Sequence, residues 1–222
     1  MAMNPVNRAG ENLLRLLAGQ HSRFFRTDVF YATRDLLDRS LACLKRPGRA
    51  RVTLVGCAAG EEPYSLLMAL DQAGRLARVD FTALDNDPQM VIRAARGAYA
   101  FSDYGGRQEM LGSLPVGYRK YFMADEEAEV FRIDPVIKKA AHFKVADAET
   151  GEFEQRVAKQ DVIIINNVLV HVAEAARRAR IVENLVDRLD TGGRLIANER
   201  LEHPRLVLKD SAGSVYCYSL RG

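Results

Sequence analysis

Apolar residues follow two rhythms along this chain. Short β-branched runs bounded by turns read as buried strands: residues 51–55 (R-V-T-L-V), 79–84 (V-D-F-T-A-L), 142–145 and, clearest of all, 161–165 (D-V-I-I-I). Between them lie stretches with helical spacing at 11–17, 29–44, 64–70, 89–96 and 173–189. In the last of these, Ile181, Val182, Leu185, Val186 and Leu189 share one side, while Arg177, Arg178 and Arg180 fall largely on the other. Lys45-Arg46-Pro47-Gly48 ends the 29–44 helix, and Gly192-Gly193 turns the last helix into a strand at 194–198. Residues 205–208 and 214–219 are two further short segments of strand type. Strands alternating with helices imply an α/β fold around a doubly wound, mostly parallel sheet.

The rhythm fades between residues 101 and 140, a turn-rich stretch whose best element is a small strand at 129–133 (E-V-F-R-I). It reads as an insertion. The organisation expected is a short helical segment over 1–45 and one domain over 46–222, interrupted by an insertion at about 100–140.

The candidate chemistry concentrates where the first strand meets the next helix, in V-G-C-A-A-G-E-E-P-Y-S (55–65). Gly56 and Gly60 permit a positive φ and leave no Cβ in a ligand's path. In nucleotide-binding sheets the ligand sits at this carboxyl edge of the first strand. A phosphate loop would want a Lys or a helix start free of negative charge; this one carries Glu61 and Glu62. The two acids either complement the helix dipole or turn at least one carboxylate toward a cationic ligand end, an ammonium or a sulfonium. The second strand ends in Asp85-Asn86-Asp87-Pro88, close to the distance at which dinucleotide folds place a ribose-binding acid. Asp87 can cap the helix that starts at Pro88, which leaves Asp85 for a ribose. Together these features point to an adenosine-bearing, positively charged cofactor. A nicotinamide dinucleotide is disfavoured because the turn is not G-x-G-x-x-G.

Composition narrows the field. With 222 residues and 48% hydrophobic, the chain can bury one full core. Its net charge is only +3 and its Lys and Arg are scattered, so no nucleic-acid footprint exists. No apolar run approaches about 18 residues and no secretory leader opens the chain, so neither membrane insertion nor export is expected. Cys43, Cys57 and Cys217 form no disulfide pattern, and His21, His142, His171 and His203 lack metal-ligand spacing. A cytoplasmic protein without a metal is expected.

In their order, Phe24-Phe25-Arg26, G-C-A-A-G-E-E-P-Y-S, A-L-D-N-D with A-A-R-G-A-Y (94–99), Tyr121-Phe122, N-N-V (166–168) and V-Y-C-Y-S (215–219) resemble the chemotaxis receptor methyltransferases, the CheR family. The resemblance implies a seven-stranded class I methyltransferase sheet with an antiparallel C-terminal edge strand. It implies S-adenosylmethionine as donor, S-adenosylhomocysteine as product and a protein glutamate as the usual acceptor. Carried over by position, cofactor contacts fall on Gln20, Ser22, Arg26, Gly56, Glu62, Asp85, Asp147, Ala148, Asn166 and Asn167, and catalytic roles on Arg26 and His171. Asn166 stands where the family has Arg, His171 where it has Tyr, and Ser22 where it has Thr. The family's helical amino-terminal domain is largely missing, and the insertion lacks the glycine-bearing loop of members that bind a receptor tail peptide, so such tethering is not expected.

A carboxylate, with a reference pKa of about 4, is already ionised and needs no general base. An amine would need one, and no Asp- or Asn-Pro-Pro-aromatic box follows the 161–165 strand. The acceptor expected is therefore an oxygen acid, on a protein or on a small molecule or peptide. A module that binds the cofactor without turnover is the alternative from another class. Arg26 is read as a carboxylate clamp or a surface ion pair, Phe24 and Phe25 as its flanks or as plain core, and His171 as an acceptor contact or a helix-start residue.

Overall fold

The computed structural model describes residues 23–27, 29–44 and 47–221. The helix expected at 11–17 and the candidates Gln20 and Ser22 lie outside them.

Strand β1 (Ala50–Val55) lies inside the sheet, parallel to β2 (Val79–Asp85) on one side and to β7 (Gln160–Ile165) on the other. β6 (Ala141–Val145) extends the sheet beyond β2, and β8 (Leu189–Ala197) extends it beyond β7, both in parallel. β10 (Val215–Leu220) then pairs antiparallel with β8 and with β9 (Leu206–Ala212) at the edge. The seven strands thus run β6-β2-β1-β7-β8-β10-β9. The chain winds outward from β1 to β6, then returns to lay β7 on β1's other side. That reversal opens a crevice at the carboxyl ends of β1 and β7, where doubly wound sheets take ligands.

Alternation along the strands divides the core into two clusters, one for each face. Val52, Leu54, Phe81, Ile164 and Ile196 face helices α1 (Phe30–Cys43) and α2 (Glu61–Gln72). Val55, Ile163, Ile165 and Leu195 join Phe153 of the short helix Gly151–Arg156 and Ile181 and Leu185 of the helix Ala175–Arg188. Numbered in chain order, those two are α6 and α7, after α3 (Pro88–Arg96), α4 (Arg107–Ser113) and α5 (Pro135–Ala140). Asp87 caps α3 as expected, its Oδ1 accepting from Gln89 N at 2.8 Å, with Pro88 in the first turn.

Several boundaries shift, α2 for one starting at Glu61 rather than at 64, and one shift changes the role of a glycine pair. The strand after α7 begins at Leu189, so Gly192-Gly193 lies within β8 rather than before it, and the pairing with β7 slips between Gln160 and Val162 to accommodate the extra residues.

Between α3 and β6 lies a second sheet of order β3-β5-β4, built from β3 (Ala98–Ala100), β5 (Val130–Ile133) and β4 (Phe122–Asp125). Its inner face is aromatic. Phe131 packs against Tyr99, Phe101, Tyr104 and Phe122, and Phe24 of the F-F-R segment joins them, 5.2 Å from Tyr99 and 5.0 Å from Phe122 between ring centroids. Two hydrogen bonds fasten this sheet's flanks to α2: Tyr121 Oη donates to Asp71 at 2.6 Å and Tyr104 Oη to Glu61 at 2.8 Å.

Phe131 is the hub of this cluster, so Phe131→Ala is expected to cost about 3–5 kcal/mol, measured by urea denaturation, through lost burial and a residual cavity.

Candidate active site

A cavity of about 420 Å³ opens at the carboxyl edges of β1, β2 and β7, within the size range of small-molecule sites. Its floor is the glycine turn. Gly56 has φ +77, and the N–H groups of Gly56 and Cys57 both donate to Leu84 O at 2.8 Å, tying the turn to β2. Asp85 Oδ2 accepts from Ala58 N at 2.8 Å and Oδ1 from Asp87 N at 3.0 Å. Asp85 is therefore not free as the sequence reading had it. Each oxygen nevertheless keeps a lone pair for a hydroxyl, and the residue lines the cavity. The positive φ expected at Gly56 is present, and the space a Cβ would take has a further occupant: it would lie 2.2 Å from Val168 Cγ2, so the protein's own side chain rather than a ligand fills it.

The two acids of the turn diverge. Helix α2 starts at Glu61, which is buried and takes the Tyr104 hydrogen bond away from the cavity. Glu62 faces the cavity and accepts from Asn166 Nδ2 at 2.6 Å; that amide, at the end of β7, also donates to Thr33 Oγ1 of α1 at 3.1 Å. Enclosure by protein pushes the Glu62 carboxyl up to about 7, while the Asn166 hydrogen bond and the charge of Arg26 pull the other way. Cys57 shares the floor, but burial raises its thiol and keeps it un-ionised.

Arg26 enters from a turn that the sequence builds locally. Phe25 takes φ +49; its N–H donates to Ser65 Oγ at 3.0 Å, and that hydroxyl donates to Glu61 O at 2.7 Å. The Arg26 carbonyl then accepts from Val29 N and Phe30 N, launching α1. Phe25, Val29 and Phe30 form the cavity's apolar wall, and Arg26 lines it beside them.

The far rim follows β7. Asn167, at φ +56, exchanges two hydrogen bonds with Asn198, its N–H donating to Oδ1 at 2.9 Å and its own Oδ1 accepting from Nδ2 at 2.8 Å. A single turn, Leu169–His171, carries His171 to the mouth, where Arg177 of α7 also lines the cavity. Among the described residues, Phe25, Ala58, Glu129 and Asn167 are the non-glycine positions with positive φ, and all but Glu129 line this cavity. Backbone strain is thus stored around one site, as functional clefts store it.

Of the residues proposed from sequence, Arg26, Gly56, Glu62, Asp85, Asn166, Asn167 and His171 come together here. Asp147 and Ala148 lie past the end of β6 and do not line the cavity; Asp147 Oδ1 accepts from Glu149 N at 2.9 Å. Sequence reasoning passed over Arg23, Ser65, Val168 and Arg177, which also line it. Ser65 and Val168 stood inside quoted motifs, whereas Arg177 was placed on an outward helix face and carried no signal of a site. The donor set suits the expected cofactor, with two carboxylates for an ammonium and a ribose.

Residues 20–216 match the family described as CheR methyltransferase, SAM binding domain. A chemotaxis protein methyltransferase of Listeria innocua is 29% identical over 160 residues, covering 71% of this chain and 56% of that protein. A probable biofilm formation methyltransferase of Pseudomonas putida is 28% identical over 188 residues, covering 83% and 39%. The chain spans about half the length of the curated relatives it matches. Among solved structures, a TehB-like SAM-dependent methyltransferase from Corynebacterium glutamicum superposes with a TM-score of 0.49 at 14% identity, covering 98% of this chain and 100% of that one.

Gly56→Ala is expected to destabilise the fold by more than about 1 kcal/mol, through an unfavourable φ and a clash with Val168. Gly56→Ala/Val168→Ala should recover the clash component but not the φ component. Thermal melts of the single and double variants measure both.

Proposed function

The chain belongs to the CheR methyltransferase family, described by its SAM-binding domain, and on that premise we propose that it methylates a carboxylate oxygen, above all a glutamate side chain of a signalling protein. The observation that carries this reading is one cavity lined by charges of both signs, the carboxylates of Glu62 and Asp85 and the guanidinium of Arg26. A donor with a cationic end and an acceptor with an anionic end both find a partner there.

Bound in this cavity, S-adenosylmethionine supplies an electrophilic methyl carbon on a sulfonium. Glu62 receives the ammonium of the amino-acid end, and Asn166 holds the Glu62 carboxylate in position. Asp85 accepts from the ribose hydroxyls, and its bond to Ala58 N fixes the turn beneath them. The planar fork of Arg26 orients the acceptor carboxylate, and His171 stands at the mouth to hydrogen-bond it. No residue removes a proton, since the acceptor is already ionised. The chain's work is positioning, with Phe25, Val29 and Phe30 excluding water from the reacting atoms.

The names of the relatives place them in chemotaxis and biofilm formation, which supports a signalling protein as acceptor. Among the described residues no helix is long and apolar enough to cross a membrane. β4 and β5 are joined through residues 126–129 with no glycine, which supports recruitment by some route other than a receptor tail peptide.

Incubation with tritiated donor and candidate acceptor proteins should release labelled methanol on mild base treatment, the signature of a carboxyl methyl ester. Donor binding without any labelled product would instead fit a sensing module.

Donor binding should also depend on pH through Glu62. The folded carboxyl, at about 7, lies above the unfolded reference of about 4.3. Its contribution to the stability of the ligand-free protein is therefore full below pH 4.3 and lost as pH rises through 7. Binding runs the other way, because the cation selects the ionised form: affinity for S-adenosylhomocysteine should climb between pH 6 and 8 and level off above the folded pKa. Glu62→Gln should weaken binding roughly tenfold or more, as expected for a hydrogen bond to a charged group, and flatten that climb in calorimetry.

A further inference from the structure

Two asparagines meet where β7 and β8 end side by side. The strands run parallel with Ile165 level with Ala197, so Asn167 and Asn198 both lie within two residues of a paired position. Asn167 lines the cavity and Asn198 does not.

The direction of both amides follows from their hydrogen bonds. A backbone N–H can only donate, so the Asn198 atom that lies 2.9 Å from Asn167 N is its oxygen. The other arm of the Asn198 amide is then NH2, and the Asn167 atom it reaches at 2.8 Å is Oδ1. With its backbone N–H and its Oδ1 engaged, Asn167 keeps Nδ2, which has no hydrogen-bond partner among the described residues. Two N–H donors and no further acceptor atom of the amide are what this side chain has left for a ligand. The same pair of bonds holds Asn167 at φ +56. One residue further along, Glu199 Oε1 accepts from Val170 N at 2.8 Å and ties down the turn that carries His171.

Position 166 has the complementary task. Asn166 donates to Glu62, the partner read above for the donor's ammonium. An amino acid carries its ammonium and its carboxylate on one carbon, so a site for the first brings the second close by. Consecutive residues at the end of β7 then address the two groups, Asn166 through Glu62 and Asn167 through its own N–H groups.

We propose that Asn198 is a positioning residue: it locks the Asn167 amide so that Nδ2 serves the carboxylate at the amino-acid end of S-adenosylmethionine. Turned over, the Asn167 amide would present its oxygen there and repel that carboxylate. The inference rests on the reading of Glu62 as the ammonium's partner.

Asn198→Asp reverses the amide while keeping both hydrogen bonds. One carboxylate oxygen still accepts from Asn167 N; the other can only accept as well, so Asn167 turns its NH2 toward it and its oxygen toward the ligand. Calorimetry on the full chain compares S-adenosylhomocysteine with its decarboxylated analogue, which retains the ammonium. The unsubstituted protein should prefer S-adenosylhomocysteine by about tenfold or more, as a hydrogen bond to a charged group allows. Asn198→Asp should cut that preference about fivefold or more while its thermal melt stays the same. Asn167→Gly, which keeps a positive φ without strain, should cut the preference too. Adding Asn198→Asp to Asn167→Gly should then change it no further, which separates action through Asn167 from repulsion by the new charge itself. Equal affinities for the two ligands in the unsubstituted protein, an unchanged preference in Asn198→Asp or Asn167→Gly, or a further drop in the double variant would each overturn the proposal. Equal weakening of both ligands in Asn198→Asp would leave Asn198 a purely structural role and overturn it as well. Failure of the unsubstituted protein to bind S-adenosylhomocysteine, or binding indifferent to Glu62→Gln, would remove the reading of the donor site and this inference with it. Binding that depends on Glu62 but ignores Asn198 removes this inference alone.

Discussion

A carboxylate held in a protein-lined cleft by a neutral amide organises this molecule's site. Glu62 loses hydration there, and the 2.6 Å hydrogen bond from Asn166 returns only part of what is lost, so the carboxyl rises to about 7. The resemblance places an arginine at position 166 in the wider family. An arginine there would neutralise Glu62 permanently, whereas asparagine orients it and leaves its charge to be balanced by something else in the cavity. Asn166 also reaches Thr33 of α1. One amide therefore couples the end of β7, the first turn of α2 and the helix that follows the F-F-R turn.

The scaffold that holds Glu62 also holds Arg26 in the same cavity, and the inserted sheet is part of that scaffold. Phe24 packs into the aromatic face of β3, β4 and β5, and Phe25 packs 4.4 Å from Tyr118 and 5.0 Å from Phe30 between ring centroids. Ser65 pins the Phe25 amide to α2, while Glu61, buried on the same turn, grips Tyr104 of the insertion. The strained φ of Phe25 survives because these contacts over-determine it. The adjacent acids of the turn consequently do different work: Glu61 braces the wall that carries Arg26, and Glu62 faces the ligand space.

Much of this was legible in the chain. The run D-V-I-I-I read as the clearest buried strand, and V-D-F-T-A-L ending at Asp85 announced the next strand and its terminal acid. The capping role of Asp87 followed from Pro88. Less legible were contacts between residues far apart in sequence. Nothing in the spacing of Gly56 hinted that Val168 would occupy the place of its Cβ, because the two meet only when β7 is laid beside β1. Arg177 read as solvated surface, since helical periodicity tells which side is polar but not which cleft that side borders. Gly192-Gly193 read as a turn because glycine pairs usually mark one, and they lie in the irregular stretch of β8 between Leu189 and Arg194, the residues on either side that pair with β7.

The sequence by itself determined the alternation of elements, the glycine turn with its acids and the identity of the charged groups available, because these depend on local spacing and side-chain chemistry. Tertiary structure alone decided which of two neighbouring glutamates faces the cavity, that Asp85 ties down the turn as well as lining it, and that the arginines of two distant segments share one space. Those outcomes depend on burial and on distances across the sheet, and a carboxylate's partner is fixed only once the chain has folded back to bring it.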